Sequence, residues 1–286
     1  MVLRLFVFGM GYSALELARR MLAEGWRVAG TTRSAGKAAA LRELGIEPVL
    51  FDRGRPLDDP AGALAGTTHL LSTVPPDAAG DPVLDHHATD IAAIRGLAWA
   101  GYLSTTGVYG DTGGAWVDED SPLKPMNERS AARVEAERRW LGLPGVPAHV
   151  FRLPGIYGPG RSAIDSLRSG TARRIDKPGQ VFSRIHVEDI AGGLAASMAR
   201  PNPGAVYNLT DDEAAPTPDV IAFAAGLIGA PVPPLVPFDP AGMSPMAASF
   251  YAECKRVRND RIKRETGWTP KYPTYREGLR AQVEGE

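Results

Sequence analysis

The chain has 286 residues, 44% of them hydrophobic and 23% charged, enough to bury a full core in one large domain or in a domain with a smaller lobe. Its net charge of −1, with both signs interspersed, argues against a dedicated nucleic-acid binder, and a single cysteine, Cys254, excludes an intrachain disulfide and fits a reducing compartment. The N-terminal apolar run is cut by Arg4 and by glycines, so it reads as neither signal peptide nor membrane span; the expectation is a cytoplasmic protein with no membrane partner.

Residues 2–33 read as strand, glycine turn, helix and strand. Val2, Leu3, Leu5, Phe6, Val7 and Phe8 form an apolar run too brief for a globular helix and suited to a strand buried on both faces. A G-x-G-x-x-A turn follows, Gly9-Met10-Gly11-Tyr12-Ser13-Ala14, then Leu15, Ala18, Met21 and Leu22 at helical spacing up to Gly25. Gly9 permits a tight turn, Gly11 lets a pyrophosphate approach the backbone, and Ala14 allows close helix–strand packing. The helix N-terminus adds free N–H groups and a partial positive charge. In this context the turn reads as a dinucleotide site; the alternative is a glycine turn that binds nothing.

The second strand ends in Thr32-Arg33-Ser34, with Lys37 beyond it. An acid here would accept from the ribose hydroxyls of NAD, whereas an arginine accommodates the 2′-phosphate of NADP. All the polar groups present are donors, so NADP is expected as cofactor, with NAD the alternative. Residues 46–51 and 69–74 read as the third and fourth strands. Asp52 and Val74-Pro75 at their ends would line the cleft, Asp52 either accepting from the adenine amino group or capping its own turn. The helix around Leu84, Ala88 and Ile91 carries Asp85-His86-His87 near its start. Adjacent histidines diverge by ~100° on a helix, so His86 with Asp90 is the only workable pair, and no metal is expected.

The fifth strand, residues 99–104, leads into Ser104-Thr105-Thr106-Gly107-Val108-Tyr109-Gly110. Together with the opening turn this segment resembles the NAD-dependent epimerase/dehydratase family of the extended short-chain dehydrogenase/reductase superfamily. Further stretches match that family's motifs in order: Asp118-Glu119-Asp120-Ser121-Pro122, the run from Arg152-Leu153-Pro154 to Tyr157-Gly158-Pro159-Gly160, Ile185-His186-Val187-Glu188-Asp189, Val206-Tyr207-Asn208 and Gly267-Trp268-Thr269-Pro270. The resemblance spans nearly the whole chain. It implies an α/β, Rossmann-like doubly wound parallel sheet with a smaller C-terminal substrate lobe. The dinucleotide-binding domain would cover residues 1–155 and the lobe 156–286, with 187–210 returning to the Rossmann core. It also implies a nucleotide-sugar-like substrate, Pro154 beside the cofactor, and a homodimer through the helices over residues 84–95 and 127–141.

In that family a Tyr-x-x-x-Lys pair on the helix after the fifth strand performs acid–base chemistry, and a hydroxyl on the strand orients the substrate. Thr105 matches the hydroxyl. Registering Ala136-Glu137 on the family pattern places Arg133 at the lysine position and Arg129 at the tyrosine position. Arginine stays protonated at working pH, so Arg129 cannot exchange a proton as tyrosine does, although Arg133 can hold a ribose or phosphate. A literal Tyr-x-x-x-Lys at Tyr251 and Lys255 falls more than a hundred residues late and reads as coincidence. Tyr109, Tyr157 and a water held by Thr105 are the remaining proton donors.

After Gly160, six basic residues (Arg161, Arg168, Arg173, Arg174, Lys177, Arg184) face two acidic ones (Asp165, Asp176) up to position 184. Such an excess over a cleft favours an anionic small molecule, and a solvated basic face explains it equally. Arg161, Arg184 and His186 are the substrate-side candidates, His186 by its intrinsic pKa. Residues 231–240, rich in proline, are expected as a loop. The basic run 255–264 reads as a surface element rather than a nucleic-acid patch, since it lacks interleaved aromatics. The two functional expectations are an NADP-dependent oxidoreductase or epimerase, and a non-catalytic NAD(P)-binding or redox-sensing module.

Overall fold

The computed structural model describes residues 2–285. Short apolar runs alternate with amphipathic helices, and parallel strands joined in this way need a helical crossover between each pair. The first half runs β1 (Arg4–Phe8), α1 (Tyr12–Ala23), β2 (Arg27–Thr32), α2 (Ala35–Glu43), β3 (Glu47–Leu50), α3 (Pro60–Leu64), β4 (His69–Ser72), α4 (Pro82–Ala92) and β5 (Trp99–Thr105). A 3-10 turn, Thr106–Tyr109, leads to β6 (Trp116–Val117), α5 (Glu128–Leu141) and β7 (Ala148–Leu153). Beyond lie β8 (Gly155–Tyr157), α6 (Ala163–Arg168), β9 (Arg174–Asp176), β10 (Arg184–His186), α7 (Val187–Ala199) and β11 (Val206–Asn208). The chain closes with α8 (Thr217–Leu227), β12 (Leu235–Pro237), α9 (Pro245–Tyr251), β13 (Arg256–Val257), α10 (Asp260–Thr266) and α11 (Tyr275–Glu284).

Seven strands form one parallel sheet in the order β3-β2-β1-β4-β5-β7-β11. The order reverses between β1 and β4, which opens a crevice at the carboxyl ends of the strands. Alternation along β1 divides its side chains between two cores. Leu5 and Val7 pack with Leu17, Met21, Ile190 and Leu194 under α1 and α7, while Phe6 and Phe8 pack with Leu84, Ile91 and Trp140 under α4 and α5. Both faces of the sheet are thus covered, as the unbroken apolar runs require.

Residues 187–208 lie against the large sheet, α7 packing on α1 and β11 pairing with β7. A separate cluster of Tyr157, Ile164, Val220, Ala224, Tyr275 and Leu279 joins α6, α8 and α11 into a smaller lobe.

Three sequence expectations need correction here. β1 begins at Arg4, because Val2 and Leu3 remain exposed. Within the proline-rich 231–240 stretch, Leu235–Pro237 pairs with β9 as a two-stranded edge, where proline is tolerated. The histidine pair on α4 is His87 with Asp90, Nδ1 to Oδ2 at 2.8 Å, since residues three apart meet as well as those four apart. His86 instead contacts the Arg53 carbonyl.

His69 is 6% exposed, tilted against Trp26, and burial pushes its pKa down to about 4. The folded chain holds this ring neutral, whereas the unfolded chain takes up a proton below pH ~6.5. Stability from His69 is therefore lost as pH falls from about 6.5 to 4. Chemical denaturation across that range should show wild type losing up to about 1.4 kcal/mol per pH unit relative to His69→Phe; parallel curves would refute it.

Candidate active site

The crevice is built from the first turn upward. The chain reverses at Gly9 with φ +86°, and a Cβ there would lie 2.8 Å from Thr73 Oγ1 and 3.0 Å from Val74 Cγ2. The Gly9 N–H donates to Thr31 Oγ1 at 2.7 Å and its carbonyl accepts from the Thr73 hydroxyl, so the ends of β2 and β4 clamp the turn. Gly11 is different. Its φ is −90°, and a Cβ would meet only the Gly9 carbonyl, 3.8 Å away. Gly11 is also the N-cap of α1, with no side chain capping the helix, so its first N–H groups are left for an anion. They face a cavity of about 290 Å³ lined by the Gly11–Ala14 turn, Thr105, Arg133, Pro154 and Arg161.

The other residues of the turn divide by role. Met10 contributes backbone only, because its side chain is buried against Gly30 of β2. Ala14 is buried in the α1 core, Ser13 lines the cavity, and the Tyr12 hydroxyl donates to the Pro159 carbonyl at 3.0 Å. Val74 packs on the turn and Pro75 is exposed beyond it.

At the β2 end, Thr32 is buried and the Ser34 hydroxyl caps α2 by accepting from Lys37 N–H. The Arg33 side chain is exposed and makes no hydrogen bond or ion pair among the described residues. Asp52 caps its own turn: Oδ1 accepts from Gly54 N–H at 3.0 Å and Oδ2 pairs with Arg55 at 3.1 Å. Arg55 also donates to the Arg33 carbonyl at 2.8 Å, which places a second guanidinium beside Arg33. Sequence reading missed Arg55 because no local motif links positions 33 and 55.

Arg161 connects three cavities: the one at the glycine turn, one of about 530 Å³ and one of about 700 Å³. Its N–H donates to the Gly158 carbonyl at 2.9 Å, but its side chain makes no hydrogen bond or ion pair among the described residues. Arg173 and Arg184 line the last of these three, so three of the six basic residues of the 161–184 stretch border this connected space. Arg184 lines two cavities, but its guanidinium is committed to the Phe182 and Ala215 carbonyls and to Thr217 Oγ1.

His186 is corrected as a substrate group. Its ring is buried edge-on to Tyr157 and Tyr272, Nδ1 accepts from Glu188 N–H, and burial pushes its pKa down to about 4. Tyr157 is likewise structural, buried with its hydroxyl toward the Thr274 carbonyl and its pKa raised.

Tyr251 and Lys255 do not form the helical pair that their spacing spells, but they share a cavity wall. Tyr251 ends α9 and Lys255 lies beyond it, and both line the 530 Å³ cavity with Thr105, Pro154 and Phe250. In the rest of the basic run Arg256 donates to the Gly114 carbonyl, and others pair with acids or aromatic faces: Arg258 over Trp116, Arg261 with Asp120, Lys263 with Asp212.

Beneath the cleft, Thr105 Oγ1 accepts from Gly107 N–H at 3.1 Å, which leaves the hydroxyl proton free to donate. Arg133 on α5 donates to the Leu103 carbonyl and to the Tyr102 hydroxyl and lines the cavity. Arg129, at the tyrosine position, is exposed and reaches Ser249 on α9 at 3.3 Å. Tyr109 is corrected as a catalytic group: its hydroxyl donates to Asn208 Oδ1 at 2.7 Å, it is 1% exposed, and burial pushes its pKa up to about 12.

Tyr109 belongs instead to a buried network. Arg152 on β7 forks onto Glu137 of α5 at 2.8–3.2 Å and donates to Tyr109 at 3.0 Å, while Ser104 donates to Glu137. Removing one member of such a pair strands the other charge. Glu137→Ala should therefore lose about 3–5 kcal/mol in denaturant unfolding, and a loss under about 1 kcal/mol would show the pair to be dispensable.

No family model matches the sequence. A conserved protein of unknown function from Silicibacter pomeroyi is 55% identical, with a TM-score of 0.90 over 99% of this chain and 98% of its own. A Methylobacillus flagellatus structure assigned as an NAD-dependent epimerase/dehydratase is 25% identical, with a TM-score of 0.74 over 100% of this chain and 99% of its own. A Streptomyces 3-diazoavenalumate denitrifying reductase is 27% identical over 243 residues, which is 78% of this chain and 74% of that one. With the glycine turn, the strand order and the placement of Thr105 all in common with the pattern read from the motifs, the chain belongs to the NAD-dependent epimerase/dehydratase family of the extended short-chain dehydrogenase/reductase superfamily.

Proposed function

We propose that the protein is an NADP(H)-dependent oxidoreductase acting on a carbonyl or alcohol group of a polar, anionic small molecule. The observation that carries this reading is the uncapped start of α1 facing a cavity that also receives Arg133, Arg161 and Thr105. That crevice fits a nicotinamide dinucleotide: the N–H groups of Ser13 and Ala14 suit its diphosphate, and the space a Gly11 Cβ would fill stays open. Such a cofactor supplies a hydride donor or acceptor when bound. Arg133 is held by the Leu103 carbonyl in a position to bind ribose or phosphate, and Thr105 offers its hydroxyl proton to a substrate oxygen.

The preference for NADP rests on Arg33, which follows β2 with an exposed side chain and whose backbone carbonyl accepts from Arg55. An anionic substrate is favoured by Arg161 and Arg173 at the outer cavities. The Streptomyces relative is a reductase, in line with redox chemistry on a small molecule. A non-catalytic dinucleotide-binding module is the second reading, favoured by one observation: the tyrosine position of α5 holds Arg129, turned toward α9.

Three variants test the cofactor site. Gly11→Ala should fold with stability within about 1 kcal/mol of wild type, yet lose at least ~10-fold in NADPH affinity. Gly9→Ala, forced into positive φ against Thr73, should instead lose about 1–3 kcal/mol of stability. Titration by tryptophan quenching should show Arg33→Ala weakening NADPH by ~10-fold or more with NADH unchanged. Equal losses for the two dinucleotides would remove Arg33 from the specificity argument.

A further inference from the structure

The 530 Å³ cavity contains a lysine that the family pattern does not call for. Lys255 and Glu253 line it together, their side chains 10% and 11% exposed and joined Nζ to Oε2 at 2.6 Å. Lys255 Nζ also donates to the Gly110 carbonyl at 2.9 Å. An ammonium has three N–H bonds, and the third has no acceptor among the described residues. A buried ammonium with a spare donor in a cavity is costly unless a ligand completes it.

The segment is held rigidly where it stands. Cys254 N–H donates to Asp111 Oδ1 at 2.8 Å, the Cys254 carbonyl accepts from Thr112 and Gly114, and Gln180 donates to the Glu253 carbonyl at 2.7 Å. Gly110 caps the same 3-10 turn that Thr105 opens, so Thr105 and the carbonyl anchoring Lys255 belong to one short turn. Tyr251 is the less suited neighbour. It packs edge-on to Phe182, its hydroxyl is engaged with Thr217, and burial raises its pKa.

We propose that Lys255 is the proton donor of this active site, supplying from the far end of the chain the acid that α5 lacks. The proposal rests on the oxidoreductase reading above. Thr105 and Lys255 together hold the oxygen of a substrate carbonyl. As the carbonyl carbon accepts hydride from the reduced nicotinamide dinucleotide, the C=O π pair moves onto oxygen. There an O–H bond forms as one N–H bond of Lys255 breaks. The neutral amine then regains a proton from solvent, so the carbonyl gains one hydride and one proton while the dinucleotide is oxidised. Glu253 is a positioning residue, holding the ammonium against Gly110. In the reverse direction the same amine accepts the proton of the alcohol. Phe182 and Phe250 give the cavity apolar walls suited to an aromatic or otherwise flat carbonyl compound.

The test uses the full chain, NADPH, 4-nitrobenzaldehyde as a carbonyl probe and 4-nitrobenzoate as a mimic of the developing oxyanion. Lys255→Met should keep NADPH affinity within about twofold while kcat falls by ~100-fold or more, with little change in KM and with the solvent deuterium isotope effect on kcat altered. By calorimetry its affinity for 4-nitrobenzoate should fall by at least ~10-fold. Lys255→Arg, which keeps the charge and the pairing with Glu253, covers the case in which the methionine variant does not fold. It should bind 4-nitrobenzoate within about threefold of wild type yet lose kcat similarly, because guanidinium does not release a proton. Wild-type turnover by Lys255→Arg, undiminished 4-nitrobenzoate binding by a folded Lys255→Met, or an NADPH-loaded wild type that leaves the aldehyde unreduced would each overturn the proposal. A wild type that binds neither NADPH nor NADH would overturn the dinucleotide reading instead.

Discussion

The Glu137 carboxylate is the point at which the floor of the cleft is tied together. It accepts from Arg152 on β7 and from Ser104 on β5 while riding on α5, and Arg152 carries the network on to Tyr109 and Asn208. A buried ion pair of this kind repays its desolvation only when its lone pairs and protons are satisfied, and here nearly every one finds a partner. Its structural consequence is register. Thr105 follows Ser104 by one residue, and Arg133 precedes Glu137 by one helical turn, so both are positioned by the same clamp.

Above that floor, two glycines that look alike in the sequence do unlike things. Gly9 answers a backbone requirement, positive φ in a turn clamped from both sides, whereas Gly11 answers a requirement for emptiness. The uncapped start of α1 makes sense only beside that emptiness, since orphan N–H groups facing a void gain most when an anion meets them. Arg161 extends the same logic outward. It stands where the glycine-turn cavity meets both outer cavities, which allows one cation to act on whatever spans them.

The replacement of the usual helical tyrosine by Arg129 changes the problem the site must solve rather than the scaffold that poses it. Arg129 turns to Ser249, and α9 carries the chain over α5 toward the cavity wall where Tyr251 and Lys255 stand. The C-terminal segment thus lines the cavity beside Thr105 with an aromatic face and a buried ammonium. Histidine, the residue type best matched to proton exchange near neutrality, is withdrawn from this role by packing: His186 is enclosed by Tyr157 and Tyr272.

Local chemistry was enough to read the large sheet, the glycine turn and the family motifs, because strand runs, helix periods and turn glycines depend on neighbours close in the chain. Thr105 and Arg129 were placed only by registering their segments on the family pattern. The fates of individual polar groups were decided only by tertiary packing. Asp52 became a turn cap, Tyr109 and His186 became buried structural groups, and the proline-rich stretch supplied an edge strand. Arg55 beside Arg33, and Lys255 in the cavity with Thr105, are pairings across 22 and 150 positions. No periodicity encodes such distances; they exist because a sheet that reverses its order between β1 and β4 gathers loops from remote parts of the chain at one edge.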